Sequence, residues 1–186
     1  MDRKEWEAHI KDSFIDSEDY NALNESEKED AFSATLSFGT AGIRGKIGLG
    51  PNRLNRYTVE KVALGLAHSL KEEAEPLVVI GYDTRHFSPE FSQTMAAVLA
   101  QNGVAVKLTE QYTSTPELSF FVREYSASIG VMITASHNPP EYNGIKVYGP
   151  DGAQLIDEPA ARLSEKINAI EDVFSIQSRD FDEGLS

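Results

Sequence analysis

The 186 residues contain no cysteine. Disulfides and thiolate metal sites are therefore excluded, and a reducing, cytoplasmic setting is expected. Long apolar runs are missing as well. No stretch approaches the roughly 20 apolar residues of a membrane span. The opening ten residues carry charges where a secretory leader needs an apolar core. Basic residues are in deficit: 17 Lys and Arg face 30 Asp and Glu, a net charge of −13. A surface of that sign repels nucleic acid and anionic membranes, so neither is expected as a partner. The deficit is local, because residues 1–33 hold 11 acidic and 4 basic side chains and residues 171–186 hold 5 and 1. The stretch between is nearly neutral, and placed Arg and Lys there can still receive an anion.

The densest chemistry lies at 134–140, Thr-Ala-Ser-His-Asn-Pro-Pro. The run before it, 128–133, is apolar and β-branched and reads as a buried strand. The two prolines forbid helix and ladder beyond it. A serine on a rigid loop at a strand's carboxyl end stands where open α/β sheets place ligands. Asn143-Gly144 reads as a turn, and 145–148 as a strand that brings Lys146 back to the loop. The bland reading is a strand–loop–strand in which Ser136 and Asn138 only cap a turn.

A glycine-rich stretch, 38–50, is the second dense motif. It is neither a P-loop nor a dinucleotide fingerprint, since Ile47 follows Gly45-Lys46 and no G-x-G-x-x-G is present. Its glycines allow a tight backbone approach. Arg44 aims a planar donor fork that suits phosphate oxygens, although a glycine-rich hairpin with a surface arginine has the same composition. Lys46, Arg53 and Arg56 read as solvated or salt-bridged charges.

Ahead of this motif, Trp6, Ile10 and Phe14 give a helical stripe. Residues 16–21 read as a turn, and Ser26 with Glu29 as the capping box of a second helix. Residues 1–33 are thus expected to form a helical arm. After the motif, helix and strand alternate: a helix capped by Thr58, a strand at 77–82, a helix from Ser88-Pro89-Glu90 to Asn102-Gly103, a strand at 104–108, a helix from Thr115-Pro116-Glu117, then the strand leading to Ser136. That alternation calls for a largely parallel sheet covered on both faces. The loop before 145–148 is too short for a crossover, so that strand is expected to run antiparallel at the sheet edge. A helix at 157–171 closes the domain, and 173–186 reads as a linker. Asp83 and Arg85, after the strand at 77–82, face the same edge as Ser136. They read as a pair bracing adjacent loops, with Arg85 free to meet a phosphate instead.

The phrase TASHNPPEYNGIKVYGPDGAQL, 134–155, is similar to the active-serine loop of the α-D-phosphohexomutases, the phosphoglucomutase/phosphomannomutase family. FGTAGIRG, 38–45, is similar to that family's amino-terminal signature, whose arginine lies at the active centre. The resemblance implies a three-layer α/β/α domain with a four-stranded mixed sheet, the first of four domains, spanning 1–172. The acidic preamble resembles the phosphoglucomutase-like branch. Ser136 would carry the phosphoryl group exchanged between the 1- and 6-oxygens of a hexose, and through that phosphate would hold Mg2+ shared with a second domain. Glucose 1,6-bisphosphate would be the activator. Lys146 would neutralise the moving group or shuttle a proton, and His137 would orient the loop or a sugar hydroxyl. Arg44 and Asn138 would bind phosphate or substrate, Asn138 also fitting a turn lock, with Asp83 and Arg85 behind them. The aspartate-rich metal loop and the later sugar loops of the family are absent from these residues. The chain is therefore expected to fold but not to turn over sugar phosphates alone.

Two other classes are weighed beside this one. A serine hydrolase would use Ser136 and His137, but neighbouring side chains diverge and no G-x-S-x-G elbow exists. A non-catalytic sugar-phosphate-binding domain would keep the fold without the reaction.

Overall fold

The computed structural model describes residues 2–39 and 42–178. Among these residues five strands form one sheet: β1 (Ile43–Lys46), β2 (Leu77–Tyr82), β3 (Ala105–Leu108), β4 (Ile129–Ile133) and β5 (Tyr142–Tyr148), in the order β1-β5-β4-β2-β3. β2, β3 and β4 are parallel, and β5 is antiparallel to both its neighbours. The α/β class stands. The expected four-stranded count does not, because the glycine-rich stretch supplies a fifth strand. β5 consequently lies inside the sheet, and β1 takes the edge expected for it. Glycine makes this pairing possible: a Cβ on Gly144 would stand 2.6 Å from the Ile43 carbonyl oxygen and 2.9 Å from that of Thr134. Asn143-Gly144 is accordingly part of β5, and the chain turns earlier, where the Tyr142 amide donates to the Pro139 carbonyl at 3.0 Å.

Strand alternation sorts the core into two faces. Val78, Ile80, Val131, Ile133, Ile145 and Val147 point to a layer of three helices, α4 (Arg56–Ser69), α5 (Ser88–Gln101) and α7 (Asp157–Asn168). Val79, Met132 and Tyr148 point to the other side, where α6 (Thr115–Glu124) covers β2 and β4 through Leu118 and Val122. β5 shares that cluster through Tyr148, at its far end from the serine loop. The polar even-numbered face of β1, Arg44 and Lys46, is exposed on that side of the sheet.

α5 and α6 begin at Ser88 and Thr115, as expected, whereas the cap of α4 lies one turn before Thr58. α4 is capped by Asn55, with Thr58 as its partner in a capping box, and α6 by Ser114 with Glu117. Asn55 is fully buried and also donates to the carbonyls of Gly48 and Gly50 at 2.9 and 3.0 Å, tying the glycine-rich turn to α4. α7 stops at Asn168, short of the expected end.

The arm, residues 2–33, holds three short helices: α1 (Arg3–Ala8), α2 (Ser17–Ala22) and α3 (Glu25–Phe32). The segment expected to turn is α2, capped by Asp16, and the capping box of α3 is Asn24 with Glu27 rather than Ser26 with Glu29. The stripe Trp6, Ile10, Phe14 does not ride one helix. α1 ends after Ala8, a 3-10 turn follows, and Phe14 takes a left-handed φ of 69° to reach Phe87 and Phe91 in the main core. Trp6 packs edge-on to Tyr57 and Phe174, in a cluster that includes Tyr20, Leu49 and Val173. The stretch from 173, expected as a linker, thus begins by packing on the arm, and residues 179–186 lie outside the described residues. Arg53 and Arg56 are salt-bridged to Asp30 and Glu60 at 2.6 and 2.8 Å.

Candidate functional site: the serine loop and its clamp

β4 is buried along its whole length and ends at the carboxyl edge of the sheet. Thr134 and Ala135 are still buried, and Ser136, the next residue, is exposed. Its backbone is left-handed, with φ 57°. A non-glycine residue holds that conformation only when its surroundings impose it. Two features do so here. The Ser136 amide donates to Thr134 Oγ1 at 2.9 Å, and the Asn138 amide to the Ala135 carbonyl at 3.1 Å, closing a tight turn.

The second feature is Arg85. It follows β2, runs under the loop, and spends its guanidinium on main-chain carbonyls. Nη2 donates to Ser136 at 2.7 Å and to Asn138 at 2.6 Å, and Nη1 donates to Pro139 and Tyr142, both at 3.0 Å. A rigid fork of donors suits this task, whereas a lysine ammonium does not. Asp83 holds the fork from behind: its Oδ1 accepts from the Arg85 amide at 3.0 Å, and its Oδ2 lies 3.6 Å from Nε. The pair thus bridges the loop after β2 and the serine loop. Arg85 is too occupied with carbonyls to present its face to a phosphate.

The remaining site residues come from two neighbouring strands. Arg44, on β1, donates from Nη1 to Asn138 Oδ1 at 2.9 Å, so the glycine-rich motif and the serine loop meet in space. Lys146 lies in β5 beside Met132 of β4. Because Arg44 pairs with Gly144, Lys146 is on the same sheet face as Arg44. It takes part in none of the ion pairs among the described residues. His137 Nδ1 stands 3.4 Å from Ser136 Oγ, at the long limit of a hydrogen bond, and is itself exposed. A cavity of about 240 Å3, lined by Thr84, Arg85, His86, Asn138 and Pro140, opens beside the loop. Thr40 and Ala41, inside the signature around Arg44, lie outside the described residues.

Ser136, His137, Asn138, Arg44, Asp83 and Arg85 therefore gather at one edge, with Lys146 on the adjoining sheet face. Two residues at this edge were not singled out as site residues from sequence: Ser88, read as a helix cap, and Asn143, read as part of a turn. Among the described residues no three His, Asp or Glu side chains come together as a metal site. Asp83 is already committed to Arg85 and Ser88.

A three-layer α/β/α unit that presents a serine from the carboxyl edge of its sheet defines the class. The family model for "Phosphoglucomutase/phosphomannomutase, alpha/beta/alpha domain I" matches residues 35–174. A phosphoglucomutase of Staphylococcus epidermidis is 57% identical over 152 residues, 81% of this chain and 28% of that protein. The phosphoglucomutase of Staphylococcus saprophyticus is 50% identical over 177 residues, 95% of this chain and 32% of that one. Among solved structures, a putative phosphomannomutase from Thermus thermophilus aligns with a TM-score of 0.66 at 34% identity, covering 78% of this chain and 31% of its own. The chain belongs to the phosphoglucomutase/phosphomannomutase family. It spans about a third of the length of the curated relatives it matches. The serine hydrolase reading falls away, since these relatives are named for phosphosugar mutases and His137 offers Ser136 only a long, sequence-adjacent contact.

Proposed function

We propose that this chain is the phosphoserine-bearing part of a hexose phosphomutase. In the reaction, the P–O bond to Ser136 breaks as one forms to the 6-oxygen of a hexose 1-phosphate. The bisphosphate then turns over and returns its 1-phosphoryl group to Ser136, releasing hexose 6-phosphate. The observation that carries this reading is the exposed, left-handed Ser136, fixed by the Arg85 fork, with Arg44 bonded to the same loop.

Each residue has a definable part. A phosphate on Ser136 carries about −1.5 to −2 charges. Arg44 and Lys146, both cations on one face of β1 and β5, neutralise it, and Lys146 is also placed to shuttle the proton of the accepting hydroxyl. His137 orients that hydroxyl. Asn138, held by Arg44, ties the serine loop to β1. Placement and charge neutralisation carry most of the work in such an in-line transfer. The described residues do not form a magnesium site by themselves. What the chain can contribute toward Mg2+ is a phosphate oxygen on Ser136.

The partners in this account are a hexose phosphate, glucose or mannose, a hexose 1,6-bisphosphate that charges the serine, and the remaining two thirds of a longer polypeptide. The setting is cytoplasmic, and no helix among the described residues is long and apolar enough to cross a membrane. The test is a comparison of two proteins. The full-length polypeptide converts hexose 1-phosphate to hexose 6-phosphate with bisphosphate and magnesium present, and the purified 186-residue chain does not. Turnover by the shorter chain, or none by the longer, contradicts the proposal.

A further inference from the structure

Behind the Arg85 fork lies a second tier of polar side chains that reaches the strand carrying Lys146. Asn143 is fully buried in β5, yet all of its carboxamide is used. Its Oδ1 accepts from the Gly144 amide at 2.8 Å. Its Nδ2 donates to the His86 carbonyl at 3.0 Å and to Ser88 Oγ at 2.9 Å. Ser88, fully buried at the first turn of α5, passes its own proton to Asp83 Oδ1 at 2.9 Å. The bonds run one way: carboxamide to hydroxyl, hydroxyl to carboxylate, with the carboxylate, an acceptor only, fixing the direction. Asp83 in turn holds Arg85, and Arg85 holds the carbonyls of 136, 138, 139 and 142.

The loop after β2 is thus tied to the serine loop and the strand that continues it, β5, by one directed chain of hydrogen bonds, buried at Ser88 and Asn143 and half-buried at Asp83 and Arg85. Ser88 does not cap α5, whose N-cap is Phe87 and carries no side-chain cap bond, and a buried position in a strand is ordinarily filled by an apolar residue. Satisfied buried networks of this kind specify one geometry. The geometry in question is where Ser136, on the loop, stands relative to Lys146, three residues beyond Asn143 on the strand that continues it.

We propose that Asn143 and Ser88 are positioning residues: acting through Asp83 and Arg85, they fix the serine loop against the Lys146 strand and so set the phosphoryl-transfer distance. The proposal rests on the mutase reading for its kinetic consequence but not for its structural one. Two measurements keep these apart.

The first uses the chain without any sugar. Hydrogen exchange is compared between the wild type, Ser88→Ala, Asn143→Ala and Val98→Ala, the last a cavity in α5 away from the loop. The proposal expects exchange across 134–142 to accelerate roughly tenfold in the two network variants, with α4 and α6 unchanged, and no such local effect from Val98→Ala. Wild-type exchange in that segment, or equal acceleration everywhere, overturns it whether or not Ser136 accepts phosphate. The second uses the full-length enzyme. Ser88→Ala and Asn143→Ala are expected to lower kcat about 100-fold, with KM within about threefold of wild type, as a displacement near 1 Å would. Ser88→Thr, which keeps the hydroxyl, restores most of kcat. Wild-type kcat in both alanine variants, or an equal loss in Val98→Ala, overturns the proposal. A wild type that never labels Ser136 defeats the mutase reading instead, and the exchange measurement then decides the network alone.

Discussion

Arg44 and Asn138, 94 positions apart in the chain, meet through a hydrogen bond of 2.9 Å from Nη1 to Oδ1. That contact brings the two motif-rich stretches into one site. It also leaves part of the Arg44 fork exposed at the sheet edge, where a phosphate on Ser136 would meet it.

The first prediction follows from that geometry. Arg44→Lys in the full-length enzyme keeps the charge but loses the second arm of the fork. It should lower kcat roughly 100-fold, the scale of removing one preorganised donor. Because Arg44 is exposed, the stability change should stay within about 0.5 kcal/mol. Kinetics and a thermal melt on the same preparation check both halves. A large loss of stability would mean that the residue is structural.

The serine loop was legible in the sequence because everything that shapes it is contiguous: an apolar strand, small residues, two prolines. What was not legible depends on partners far away. The glycine-rich stretch reads as a hairpin, and its pairing with β5 depends on Gly144, about a hundred residues on in sequence, which lets the Ile43 carbonyl approach. Arg85 announces a charge near the right edge, but nothing local says that it will serve four carbonyls. Ser88 and Asn143 fit local roles, a cap and a turn, that hide their bond to each other. Phe14 fits a helical stripe until its left-handed backbone sends it to Phe87 and Phe91. In each case local pattern proposes and a long-range contact disposes.

The second prediction concerns the arm. Trp6 is fully buried against Tyr57 and Phe174. Trp6→Ala should cost about 3–5 kcal/mol, the usual range for truncating a buried aromatic. The loss should appear as protease sensitivity in the arm and around residue 174, ahead of the sheet. Limited proteolysis with peptide mapping checks this. First cleavage within β2 or β4 would show that the arm is not a separate layer of stability.

The third is a pH dependence. Burial, aided by Lys71 and Lys166, holds the His68 imidazole below the ordinary histidine range. The unfolded chain therefore binds a proton there more readily than the folded one, so His68 lowers stability as pH falls through about 6.5. Denaturant melts at pH 7.5 and 5.5 should show a smaller acid loss for His68→Gln than for the wild type. Equal losses would place the sensitivity elsewhere.

The central claim is that Ser136 carries the exchanged phosphoryl group, and peptide mapping of the full-length protein after incubation with a hexose 1,6-bisphosphate tests it most directly. The account predicts one phosphate per chain, located on Ser136, whose isotopic label from the bisphosphate passes into the hexose phosphates when excess unlabelled hexose 1-phosphate is added, and which is absent from Ser136→Ala, which should have no measurable turnover. Phosphate found on another residue, or a Ser136→Ala enzyme with wild-type activity, would contradict it.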